Sequence, residues 1–100
     1  MIWAKELDAV ISICDTQGVI IEMNDKAVRH FSKFGGADLI GSNILDCHPE
    51  PSKSKLKAMM SSQVANTYIV EKDGHKKVVS QKPWYIDGKY AGFIEIQIEL

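Results

Sequence analysis

Apolar and polar positions recur with two different periods along this chain, and the changes of period mark its elements. From Ala9 to Cys14 β-branched residues dominate. Asp15 to Gly18 has turn chemistry, with Gly18 free to adopt positive φ, and Val19 to Met23 returns as a strand, which predicts a hairpin. At Asn24 the period becomes helical. Asn24 suits an N-cap and Asp25 places negative charge where the helix dipole favours it. Ala27, Val28, Phe31 and Phe34 then follow at helical spacing until Gly35 and Gly36 end the run. Ala37 to Leu45 predicts a turn or two of helix broken near Gly41. Pro49 and Pro51 bracket the entry to a longer helix from about Pro51 to Ser62, with Leu56, Met59, Met60 and Gln63 on its inner side.

Three strand-like segments complete the chain, from Asn66 to Glu71, Lys76 to Ile86 and Tyr90 to Leu100, joined by turns at Asp73-Gly74 and Asp87-Gly88. In the last segment Ile94, Ile96, Ile98 and Leu100 alternate with Phe93, Glu95, Gln97 and Glu99, so the aliphatic set takes one sheet face and the mostly polar set the other. Two strands, several short helices and three strands predict an α+β domain: a five-stranded antiparallel sheet with the short helices packed on one face. Residues 8–100 supply it. Residues 1–7 form an N-terminal flanking segment in which Ile2, Trp3 and Leu7 are the apolar members of a helix too short to stand without docking.

The composition, 45% apolar and 25% charged over 100 residues, is that of one globular domain. A formal charge of −1 with Lys and Arg scattered among acidic residues leaves no basic stripe for phosphates, so nucleic acid is not an expected partner. Lys5, Glu6 and Asp8 interrupt any signal-peptide core and no run is long enough to span a bilayer. The expected location is the cytoplasm, with no membrane contact. Cys14 and Cys47 are too few for a disulfide framework and read as reduced thiols in or near the core.

Asp15 and Gly18 in the first hairpin turn, Asn24 and Ala27 opening the first helix, Gly36, Leu39, Ile40 and Gly41 after it, and Gly74, Gly88 and Gly92 in the closing hairpins form a recurring order. In this order the chain resembles a PAS domain from about Leu7 to Leu100. The stretch from Gly41 to Ser52 further resembles a prokaryotic subgroup in which Cys-His-Pro-Pro and a Ser precede the long helix, with Glu50 in place of the second Pro. The resemblance implies a sensor that binds a small molecule between sheet and helices, pairs with a copy of itself, and passes its signal to an effector domain or partner protein.

Covalent flavin chemistry does not fit, because in light-sensing relatives the reactive Cys directly follows an Asn, whereas Cys47 lies four positions beyond Asn43. Cys47 also falls short of the chromophore-bearing position of photoactive yellow protein. Haem and flavin both remain open as cofactors, with no specific motif for either. His48 is the residue through which a haem would be ligated. Zinc lacks paired ligand spacing and no metal is expected. Cys47 beside His48 does not make a catalytic pair, since adjacent residues point apart, and the chain is not read as an enzyme. Lys53, Lys55 and Lys57 fan around the long helix as a solvated face.

On the family geometry the pocket would be lined by some of Met23, Val28, Phe31, Ile44, His48, Leu56, Met59, Met60, Tyr68 and Ile96, with polar contact from Asn43, His48 or Tyr68. An apolar or aromatic ligand follows from that lining. The alternative is a ligand-free homodimerisation module with a filled core, for which Trp3, Leu7 and Phe93 are the interface anchors.

Overall fold

The computed structural model describes residues 2–100, with the side chain of Cys47 outside the described atoms. Strand β1 (Val10–Cys14) and strand β2 (Ile20–Met23) form the opening hairpin. Helix α1 (Asp25–His30), three 3₁₀ turns (Ser32–Phe34, Gly36–Leu39, Ile44–Cys47) and helix α2 (Ser52–Ser62) follow. Strands β3 (Asn66–Lys72), β4 (His75–Ile86) and β5 (Lys89–Glu99) close the chain. Every pairing is antiparallel and the strand order is β2-β1-β5-β4-β3, so the first hairpin and the last three strands join through β1 and β5. This is the predicted α+β architecture. No described helix is long and apolar enough to cross a membrane.

Local chemistry explains the turns. Asp15 accepts hydrogen bonds from the backbone N–H groups of Gln17 and Val19 through one carboxylate oxygen, which closes the first hairpin around Gly18. At Asp73-Gly74 and Asp87-Gly88 both residues have positive φ, the backbone a tight two-residue hairpin turn requires. Asn24 caps α1 by accepting from the Ala27 N–H, and its amide does more than cap. It accepts from the Ile11 N–H and donates to the carbonyls of Ala4 and Ala9, so one buried side chain ties flank, β1 and helix together.

Four local expectations change. The flank is a set of turns and not a helix: among its described residues Ala4 alone is buried, against Ala9 and Ile11, while Trp3 is 78% exposed. Met1 lies outside the described residues. Helix α1 ends at His30, because the backbone of Phe31 leaves helical geometry and the chain tightens into 3₁₀ turns. Phe34 therefore leaves the buried stripe and is 74% exposed. Gln63 is the left-handed C-cap of α2, exposed rather than inward. Glu50 caps α2 through the Ser54 N–H and hydroxyl, and those bonds hold its carboxyl below the ordinary value.

The largest correction concerns which sheet face the helices cover. Phe93 packs with Cys14, Leu56, Met59 and Met60 in the core beneath α2. Ile94 and Ile96 pack with Ile11, Ile13 and Ala4 on the opposite face. Register is the reason: β1 and β5 pair Cys14 with Phe93 and Ile11 with Ile96, so the mostly polar set of β5 lies under the helices and the aliphatic set faces outward.

Candidate functional site

Residues paired across neighbouring strands share a face. Ser12 is opposite Glu95, Glu95 opposite Gln81, and Gln81 opposite Asn66, which makes one polar row across β1, β5, β4 and β3. The next row along the strands is Val10, Gln97, Val79 and Tyr68. Polar side chains thus occupy the middle of the face that a filled core would line with aliphatic ones.

Three neighbouring hollows open between this floor and the helices, and His48 and Glu95 line all three. The one under α1 and the 3₁₀ turns, about 460 Å³, has Ser12, Glu95 and Gln97 as floor and Ile20, Phe31, Phe34, Leu39 and Ile44 as wall. The one under α2, about 210 Å³, is bounded by Asn66, Tyr68 and Gln81 opposite Ser52, Lys55, Leu56 and Met59. A tight constriction of about 40 Å³ between them reaches Cys14 and Phe93.

Hydrogen bonds order part of the floor. Lys77 donates to the Gln97 side-chain oxygen at 2.8 Å, and the Gln97 amide donates to Glu95 Oε1 at 3.2 Å. His48 lies 2.7 Å through Nδ1 from the Ile44 carbonyl, an acceptor only, so the proton is on Nδ1 and Nε2 is left as its remaining polar atom. Burial, with the negative charge of Glu95 adding to it, pushes the Tyr68 phenol above its ordinary value. Cys14, buried in the core, has its thiol pushed up by desolvation, which keeps it protonated and unreactive.

Of the residues expected at the pocket, the structure brings Phe31, Ile44, His48, Leu56, Met59 and Tyr68 to these hollows. Met60 is core packing beneath them. Val28 lies against Gly36 and does not line them. Asn43 caps the third 3₁₀ turn and donates to the Gln17 carbonyl. Met23 lines a shallow groove with Ile2 and Ile40 elsewhere, and Ile96 is on the outer face. Among the interface candidates Trp3 and Leu7 are exposed, whereas Phe93 is 3% exposed and inside the core. Sequence reasoning missed Ser12, Gln81, Glu95 and Gln97, because alternation alone assigns polar strand residues to solvent. Among the described residues no three metal-ligating side chains gather.

No protein-family model matches the sequence, and no curated protein matches it. Solved structures do match. A PAS domain from Colwellia psychrerythraea is 18% identical, with 99% of this chain and 92% of that chain covered and a TM-score of 0.68. The chain has the fold of a PAS domain. A sensory box sensor histidine kinase structure from Vibrio cholerae is 18% identical over 98% of this chain and 86% of that chain, with a TM-score of 0.67. The Aer2 receptor of Vibrio cholerae, described as a dual PAS-heme oxygen sensor, is 14% identical over 92% of this chain and 94% of that chain, with a TM-score of 0.69. In this PAS fold the hollows lie between sheet and helices, and the charged floor residue is Glu95.

Proposed function

We propose that this PAS domain is a cytoplasmic sensory module, not an enzyme, that holds a small molecule between sheet and helices and relays its presence to a partner protein or effector domain. The polar row Ser12, Glu95, Gln81 and Asn66 on the helix-covered face carries this reading. Leaving a carboxylate and amides incompletely paired under a protein layer is costly, and a bound polar group offsets that cost. A Cys14 thiol pushed up by burial and a His48 whose Nδ1 is committed to the backbone support binding over turnover. The apolar macrocycle of a haem would have to lie on Glu95, Gln97 and Gln81, so a compact polar-headed ligand suits this floor better. That narrows the apolar or aromatic ligand expected from sequence to one with a polar edge.

A second reading rests on the outer face. Ile13, Ile94 and Ile96 are only partly covered there, Ile98 and Ile69 are exposed, and Trp3 and Leu7 are exposed in the flank whose Ala4 packs on that face. A face of this kind suits a homodimer, with or without ligand.

Native mass spectrometry and an absorption spectrum of the chain purified without additives separate the readings. The expected result is a chain carrying a small non-covalent mass and no visible band. A bare dimer supports the interaction module instead, and a Soret or flavin band identifies a prosthetic group.

A further inference from the structure

Glu95 is the carboxylate of the cleft floor, and the fold pairs only one of its oxygens among the described residues. It is half-buried at the centre of the floor, and the residues paired with it on either side, Ser12 and Gln81, are neutral. An ionised carboxylate accepts about four hydrogen bonds. Among the described residues only the Gln97 amide donates to Glu95, to one oxygen. Two lysines near the cleft are engaged or peripheral: Lys77 is directed to the Gln97 oxygen, and Lys55 is exposed on α2. Asp25 and Asp8, by contrast, each hold a lysine, Lys5 and Lys26.

Resting on the ligand reading above, we propose that the cleft recognises a flat organic cation, an amidinium, guanidinium or protonated amino-heterocycle, whose N–H groups pair with Glu95. Two parallel N–H donors match the spacing of a carboxylate, and charge-assisted pairs of this kind are about twice as strong as neutral ones. The side-chain oxygens of Ser12 and Gln81 flank Glu95 as further acceptors. The flat body of the ligand lies between the sheet floor and the wall made by Ile20, Leu39 and Ile44. An anion of the same shape is repelled by the same carboxylate, so one side chain supplies both attraction and exclusion.

The test uses three probes of nearly identical shape, benzamidine, benzamide and benzoate, titrated into the whole chain while amide NMR signals of Ser12, Gln81 and Glu95 are followed. Benzamidine is expected to bind at least about tenfold more tightly than benzamide, benzoate more weakly than either, and the preference should vanish in Glu95→Gln. Benzamide or benzoate binding as well as benzamidine, or a preference that survives in Glu95→Gln, overturns the cation proposal and leaves the cleft as a ligand site. Signals that respond to none of the three at millimolar concentration overturn the cation proposal. Native mass spectrometry decides the ligand reading separately, since a bound neutral or acidic metabolite would uphold that reading while the cation proposal falls.

Discussion

Asn24→Ala is expected to lower the unfolding free energy by about 3–5 kcal/mol, well beyond the roughly 1 kcal/mol of an ordinary helix cap. Asn24 is 1% exposed and its oxygen accepts from the N–H groups of Ile11 and Ala27 at 3.1 and 3.0 Å. Its amide nitrogen donates to the carbonyls of Ala9 at 2.7 Å and Ala4 at 3.1 Å. Truncation strands backbone groups of three segments in a volume too small to rehydrate them well. The flank should loosen first, because Ala4 is its only buried residue among those described and loses the bond to Asn24. Denaturant unfolding of Asn24→Ala measures the loss. A change near 1 kcal/mol would show that the links to Ala4 and Ala9 add nothing to the cap.

Gly92→Ala is expected to cost more than about 3 kcal/mol, or to prevent folding altogether. Gly92 has φ +140°, and a Cβ placed there would sit 2.0 Å from the Cys14 carbonyl oxygen and 2.8 Å from the Asp15 carbonyl carbon. Neither atom belongs to a flexible side chain. The Cys14 carbonyl also accepts the Trp84 indole N–H at 3.0 Å, so moving β1 away from β5 breaks that bond as well. Gly88→Ala is the matched control: its φ is +79° but nothing lies within 4 Å, so only left-handed strain of about 1–2 kcal/mol applies. Equal midpoints for the two variants would contradict the close approach of the strands.

Much of the fold was legible because its signals are local. Asp15-to-Gly18, Asp73-Gly74 and Asp87-Gly88 fix turns by backbone preference, and Asn24 marks a helix start by the hydrogen bond its side chain can make. The facing of the sheet was not. Alternation in β5 separates Ile94, Ile96 and Ile98 from Phe93, Glu95 and Gln97, yet it does not say which set the helices cover, because that depends on long-range register. In a filled core the aliphatic set would turn inward; here it turns outward. The helix-side contributors His48, Ile44 and Leu56 were expected from the family resemblance, whereas the floor residues Ser12, Gln81, Glu95 and Gln97 looked like solvent positions. Phe93 held the missing signal, since an aromatic residue among the polar set marks that face as covered.

On the proposed reading the polar floor serves a ligand and not the stability of the fold, and Gln81→Leu tests that proposal most directly. Gln81 is half-buried in the floor and, among the described residues, its side chain has no hydrogen-bond partner, so leucine breaks no bond and adds apolar contact with Leu56 and its surroundings. Thermal unfolding of the ligand-free variant should show a midpoint raised by a few degrees, consistent with a gain of up to about 1 kcal/mol, together with loss of the captured small molecule. A midpoint lowered by several degrees would contradict the account, because it would make the polar floor part of the scaffold.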